Sequence, residues 1–296
     1  MTLLALLGPT ASGKSRAALD VARSRGDVEV VAVDAFTVYR GMDVGTAKPS
    51  VTDRASVRHH LVDVVDPDVE LTVARFQAMA REAIADVRAR GRVPLLVGGS
   101  GLYWRAVVDD LRFPPTDAQV RSTIERRWEH DAEAAHAHLS GLDPAAARRI
   151  DPANLRRTVR ALEVLELTGE PFSAYAEAWD RFESIYHDLD VALLDPPGPQ
   201  LRAAIDARSR RMVEAGLVEE AQRLRDRWAL SRTAAQAIGY AEAFEVLDGR
   251  ADVDGLAEAI ARRTRRYARR QRAWFRRDPR CEPRSPTDVV RRWAAV

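Results

Sequence analysis

The sequence has one cysteine, Cys281, in 296 residues, which excludes an internal disulfide and a cysteine-based zinc site and agrees with a reducing compartment. It has no run of 18 or more consecutive apolar residues, so no membrane-spanning helix is expected, and its opening MTLLALLGPT lacks the basic start of a signal peptide. The expected compartment is the cytoplasm. Internal repeats and low-complexity tracts are missing as well. Lysine is almost absent: of 46 basic residues only Lys14 and Lys48 are lysine, and the rest are arginine. A composition that has replaced lysine wherever arginine serves makes the two survivors candidates for function.

What remains is an ordinary globular composition, with 46% apolar and 30% charged residues, which excludes a disordered or collagen-like chain. The length allows one large domain or two smaller ones. The formal net charge of +2 hides an imbalance, because residues 262 to 296 carry 13 arginines against Asp278, Glu282 and Asp288. A basic C-terminal segment on an acidic body points to a polyanionic partner.

The first hundred residues alternate short apolar runs, TLLALLG, VEVVAVDAF and VPLLVGG, with stretches of helical period, the pattern of a parallel sheet whose strands are buried on both faces. Ligands collect at the carboxyl ends of such strands. From about Leu111 to His187 the strand-like runs stop and polar helices are broken by prolines and glycines. The sequence therefore predicts an α/β fold with a parallel sheet flanked by helices. Residues 1–111 and 188–296 form its core, and residues 112–187 a helical insertion. The run LDVALLDPP is expected to return to the sheet, with two further helices after it. The last of these, about Leu256 to Arg277, is expected to dock by Leu256, Ile260, Tyr267 and Trp274. Within the insertion Arg156, Arg157 and Arg160 fall on one helix face away from Leu155, Val159 and Leu162; such a face either binds an anion or meets water.

Gly8, Pro9, Thr10, Ala11, Ser12, Gly13, Lys14 and Ser15 match GxxxxGK[ST] between a strand-like run and a helical stretch. In this loop backbone N–H groups and a helix N-terminus cradle phosphates, Lys14 adds a point charge, and the Ser15 hydroxyl can ligate Mg²⁺. The acid-ended strand is VVAVDAF, whose Asp34 follows the loop by about twenty residues; VPLLVGGSG ends instead in glycines and Ser100. Asp34 and Ser100 are expected to face the phosphate site from neighbouring strand ends, Asp34 able to accept a proton or serving as a strand-end cap or an outer partner of the magnesium. His59 and His60 are adjacent in an extended segment and so point apart, which argues against a shared metal.

GPTASGKS, VDAFTVYRGMDVGTAKP, HHLVDVVDP, VGGSGLYWRAVVDDL, RIDPANLRRTVRALEVLELTGEPFS, AIGYAEAFEVLDG and RRYARRQRAWFRRDPR, in this order and spacing, resemble the tRNA dimethylallyltransferases (tRNA isopentenyltransferases) over nearly the whole chain. The resemblance implies a P-loop NTPase-like core. It also implies dimethylallyl transfer from dimethylallyl diphosphate to N6 of the adenosine 3′ to the anticodon, with Mg²⁺ and diphosphate release. It gives Asp34 the role of base, and Lys14 and Ser100 the role of stabilising the departing diphosphate. The tRNA anticodon stem-loop would be contacted by Asp34, Ala35, Phe36, Thr37, Arg121, Arg156, Arg157, Arg160, Gly239, Tyr240, Arg269, Arg270, Gln271, Trp274 and Arg276. The target base would be taken out of its stack, and the enzyme would work as a monomer away from membranes.

Ala35 stands where the family commonly has serine, Thr37 where glutamine is frequent, and Ser100 for the more usual threonine. Lys48, in GTAKP, matches a family lysine and is expected to touch RNA phosphate or orient substrate. The competing readings are a P-loop kinase of nucleotides or small molecules, a prenyltransferase of free adenylate, and a non-catalytic RNA-binding protein.

Overall fold

The computed structural model describes residues 2–175, 179 and 181–294. It divides into two compact units, residues 1–108 with 184–296, and residues 109–183.

The first unit is an α/β fold, as expected. In chain order it contains β1 (Leu3–Leu7), α1 (Lys14–Arg25), β2 (Val28–Val33), α2 (Val51–Ser56), β3 (His59–His60), α3 (Val73–Ala89), β4 (Val93–Gly98) and α4 (Gly101–Val108). The second unit holds α5 (Ala118–Trp128), α6 (Ala132–Leu142), α7 (Pro144–Ala147) and α8 (Leu155–Thr168). The chain then returns with β5 (Leu189–Leu193), α9 (Gly198–Glu214), α10 (Leu217–Arg227), α11 (Arg232–Ala235), α12 (Tyr240–Leu247), α13 (Leu256–Phe275) and α14 (Pro286–Ala294).

The five strands are ordered β3-β2-β4-β1-β5 and every pairing is parallel. Because strand side chains alternate, Leu3, Ala5 and Leu7 of β1 face one core and Leu4 and Leu6 the other. All five are buried, and each leucine so buried contributes about 1.5–3 kcal/mol. One core is roofed by α3, α4 and α10 to α13, the other by α1 and α14. The register aligns the carboxyl ends of three strands, pairing Leu7 and Val33 each with Gly98. The loops after β1, β2 and β4 therefore leave the sheet at one edge.

Two expectations about this unit change. Five helices, not two, follow β5 before α14, and α14 was not foreseen. Its apolar signal is short, Val289, Val290 and Trp293, and it is fixed by tertiary contact: Val289 and Trp293 are buried against the α1 face with Val290 packed beside them, and the Trp293 indole donates to Asp190 at 3.0 Å. On α13, Leu256 and Ile260 are buried as expected, together with Ala261, Thr264, Ala268, Gln271 and Phe275, but Trp274 is 41% exposed. Its ring lies over Gly101, where a Cβ would come within 2.6 Å of the indole.

The helical unit has its own core, including Ile124, Leu139, Ile150, Val159 and Leu162. The α8 helix starts on an Asn154 cap whose side chain accepts from Arg157 N, and stops at Gly169 in the left-handed conformation, the two ends a helix of this kind needs.

Candidate active site

At the shared edge of β1, β2 and β4 opens a cavity of about 460 Å³, within the usual range for small-ligand sites. The phosphate loop forms one wall. Gly13 adopts φ +88° with open space around it, so the residue is required by backbone conformation and not by room. The α1 N-terminus that follows has no side-chain cap, which leaves its first amides for an anion. Ser15 is exposed and lines the cavity.

Two cations point into this space. Lys14 Nζ makes one long bond, 3.3 Å to Pro9 O, and Arg208 of α9 donates to Thr10 Oγ1 at 3.2 Å and to Thr46 O at 3.1 Å. Neither has a carboxylate at ion-pair distance among the described residues. Burial pulls the Lys14 ammonium down to about 8; Arg208 pulls the same way and Asp34 opposes. Arg208 is lowered too, first by burial, with Asp34 again opposing. Desolvated cations without a counter-ion are destabilising unless an anion joins them. Arg208 was not foreseen, being one arginine among dozens. It is brought to the cavity by the buried α9 face of Leu201, Ile205, Ser209 and Met212.

Asp34 lines the same cavity. Its Oδ1 accepts from Phe36 N at 2.8 Å and Thr37 N at 3.2 Å, which fixes the carboxylate while Oδ2 has no protein hydrogen bond among the described residues. It follows β2, which pairs with β4 as the neighbouring strand ends required, and β4 in turn lies between β2 and β1. Phe36 and Thr37 line the same cavity and Ala35 does not; the Thr37 hydroxyl is buried without a partner. Met212, Ala237, Ile238, Ile260 and Tyr267 add a less polar wall. Ser100 is not in the lining: its Oγ accepts from Tyr103 N at 3.5 Å at the start of α4.

Several other expected contact residues have structural work instead. Tyr240 is fully buried, donating to Glu220 Oε1 at 2.5 Å and accepting from Gly45 N at 3.2 Å, and Gly239 beside it is buried as well. Gln271 is 4% exposed; it accepts from Thr10 N at 2.9 Å and donates to Gly99 O at 2.7 Å, bracing the phosphate loop against the end of β4. The Lys48 side chain is 2% exposed and donates to Tyr39 O, Asp63 and Asp43 at 2.6–2.7 Å, which leaves no donor for RNA phosphate. His60 contacts Glu29 at 2.7 Å and His59 contacts Val57 O at 2.7 Å, so the pair does point apart.

The basic helices divide likewise. In α8 Arg160 donates to Pro114 O, Pro115 O and the buried Glu163, while Arg156 and Arg157 are exposed with no ion pair to a described residue. Arg121 also pairs with Glu163, at 2.8 Å. Along α13 and its exit, Arg263, Arg265, Arg272 and Arg280 are held by acids. Arg262, Arg266, Arg269, Arg270, Arg276 and Arg277 are exposed and have no such pair among the described residues.

The chain matches the IPP transferase family model over residues 37–278. It is 50% identical to a tRNA dimethylallyltransferase of Kineococcus radiotolerans, covering 98% of this chain and 94% of that one. It is 46% identical to one of Bifidobacterium longum, covering 94% and 84%. The crystal structure of a tRNA isopentenylpyrophosphate transferase from Bacillus halodurans superimposes with a TM-score of 0.70 at 36% identity, covering 99% of this chain and 94% of the other. With the sheet, the phosphate loop and matches of this extent in agreement, the chain belongs to the IPP transferase family.

Proposed function

We propose that the protein transfers a dimethylallyl group from dimethylallyl diphosphate to N6 of the adenosine 3′ to the anticodon of tRNA. The observation that carries this reading is a pair of half-buried cations with no carboxylate at ion-pair distance among the described residues, Lys14 and Arg208, which line one cavity with a fixed carboxylate, Asp34, and a less polar wall. A diphosphate satisfies the cations and the open α1 amides, and a short hydrocarbon suits the wall of Met212, Ala237, Ile238 and Ile260.

In this reaction the allylic C–O bond breaks as the adenine nitrogen attacks, and negative charge grows on the leaving diphosphate. Fixed donors aimed at developing charge are the strongest lever available to such a site. The loop amides, Lys14 and Arg208 supply them, Gln271 and Thr10 holding their alignment. The adenine amine loses a proton, and Asp34 accepts it at Oδ2, the oxygen its own loop leaves open. Ser100 keeps the β4 exit in shape by capping α4 and has no assigned contact with the diphosphate.

Mg²⁺ fits as an ion carried with the diphosphate. No cluster of three or more His, Cys, Asp or Glu side chains suited to a resident metal exists among the described residues, while Ser15 offers an exposed hydroxyl in the cavity. Mg²⁺ prefers this arrangement of few protein oxygens with phosphate and water, and when bound it neutralises phosphate charge. For the tRNA, the exposed Arg156 and Arg157 of α8, Arg269 and Arg270 of α13, and Arg276 just after it supply phosphate contacts. Incubation with tRNA, Mg²⁺ and dimethylallyl diphosphate followed by mass spectrometry of the nucleosides tests the proposal. Adenosine bearing one dimethylallyl group is the expected product; unmodified tRNA alongside ATP-dependent phosphorylation of a small molecule would return the cavity to the kinases.

A further inference from the structure

Behind the cavity lies a buried carboxylate that the chemistry above does not use. Glu220 of α10 is 5% exposed and has no arginine or lysine at ion-pair distance among the described residues. Its carboxylate accepts from three successive backbone amides, Asp43 N at 3.2 Å, Val44 N at 3.0 Å and Gly45 N at 3.4 Å. The Tyr240 hydroxyl donates to it as well, at 2.5 Å. Successive amides converging on one anion form a nest, and here the anion belongs to the protein.

The segment gripped in this way runs straight into the site. One residue beyond Gly45, the Thr46 carbonyl accepts from Arg208 Nη2 at 3.1 Å, and Thr46 lines the cavity. The far end of the segment is tied by Lys48 to Asp43 and Asp63. Thr46 O therefore stands between two fixed points. Burying a carboxylate without a cation is costly, and an apolar side chain in its place would leave three amides unpaired, so the arrangement is explained by the loop that it fixes.

On the reading of the cavity as a diphosphate-transfer site, we propose that Glu220 is a positioning residue for Arg208: by holding the amides of residues 43–45 it fixes the Thr46 carbonyl, and that carbonyl aims the guanidinium at the phosphate loop. Glu220 touches neither substrate. Its effect on diphosphate binding passes through Arg208.

Calorimetric titration of the full chain with inorganic diphosphate tests this, using wild type, Glu220→Gln, Arg208→Ala and the double variant. Glu220→Gln places an amide N–H₂ against backbone donors, and the misalignment is expected to weaken diphosphate binding about tenfold, in line with the sensitivity of polar sites to small displacements. In the Arg208→Ala background the same substitution is expected to change nothing further. Tyr240→Phe, which keeps the carboxylate and removes one of its donors, is expected to give a smaller loss that also vanishes without Arg208, and it carries the cycle if Glu220→Gln does not fold. Losses that add in the double variant, or unaltered binding in both single variants, would overturn the proposal. A wild-type chain that takes up no diphosphate would overturn the reading of the cavity itself.

Discussion

Two clusters of cations in this protein look alike in sequence and differ in what faces them. In the helical unit, Arg121 and Arg160 converge on Glu163, which is fully buried and also accepts from Thr116 Oγ1 and Asp117 N at 2.8–2.9 Å. In the cavity, Lys14 and Arg208 have no carboxylate at ion-pair distance among the described residues, and Asp34 is the acid that offsets their charge at longer range. The first cluster closes its own balance and so holds a fold together. The second leaves positive charge uncompensated, and a fold tolerates that cost only where a ligand removes it.

The comparison breaks most visibly at Asp34. Asp34→Ala is expected to lower turnover about 10²- to 10⁴-fold, the usual worth of a placed base, with tRNA binding by filter retention nearly unchanged; near-normal turnover would remove the base from the mechanism. Next in size is the closed cluster. Glu163→Gln removes a buried anion from partly exposed arginines and is expected to destabilise the helical unit by about 1–3 kcal/mol, read by thermal melting, with donor affinity in the core unaffected. The same cluster gives a pH signature. Burial raises the Glu163 carboxyl, but Arg160, the Asp117 amide, Thr116 and Arg121 outweigh it and hold it below the ordinary value. Its stabilisation is therefore complete above the usual carboxylate range and is lost as pH falls through the depressed value.

The open cluster should respond at the other end of the scale. Lys14 titrates at about 8 in the free protein, and a bound diphosphate favours the ammonium. Donor affinity is therefore expected to be level below pH 8 and to fall above it, by up to about tenfold per pH unit from this one group. Lys14→Met should flatten that limb. The smallest effect separates arginines of one helix. Arg156→Ala with Arg157→Ala should reduce the slope of log K against log salt for tRNA by roughly 1.5–2, as two lost phosphate contacts require, with no change in melting temperature. Arg160→Ala should do the reverse.

Much of this was legible because it is local. The phosphate loop is eight consecutive residues whose glycines, lysine and serine each have a backbone or ligand reason, and the buried strands announce themselves as short apolar runs. Asp34 was legible as an acid closing such a run. Arg208 was not, because nothing in its neighbourhood distinguishes it from any other helical arginine. The family resemblance marked Tyr240, Gln271 and Lys48; each is hidden from solvent and spends its hydrogen bonds on the loops that surround the site. The α14 helix has too short an apolar pattern to be legible, since Val289, Val290 and Trp293 alone carry its docking.

By itself, the sequence determined the parallel sheet, the anion-binding loop and the scarcity of lysine that singled out Lys14, since these follow from side-chain periodicity and from contacts within a few residues. Only the tertiary structure decided which charges are spent and which are left over. Ion pairing depends on distances between side chains remote in sequence, Arg208 from Thr46, Glu220 from Gly45, Arg160 from Pro114, and a list of residues contains none of those distances until the chain has packed.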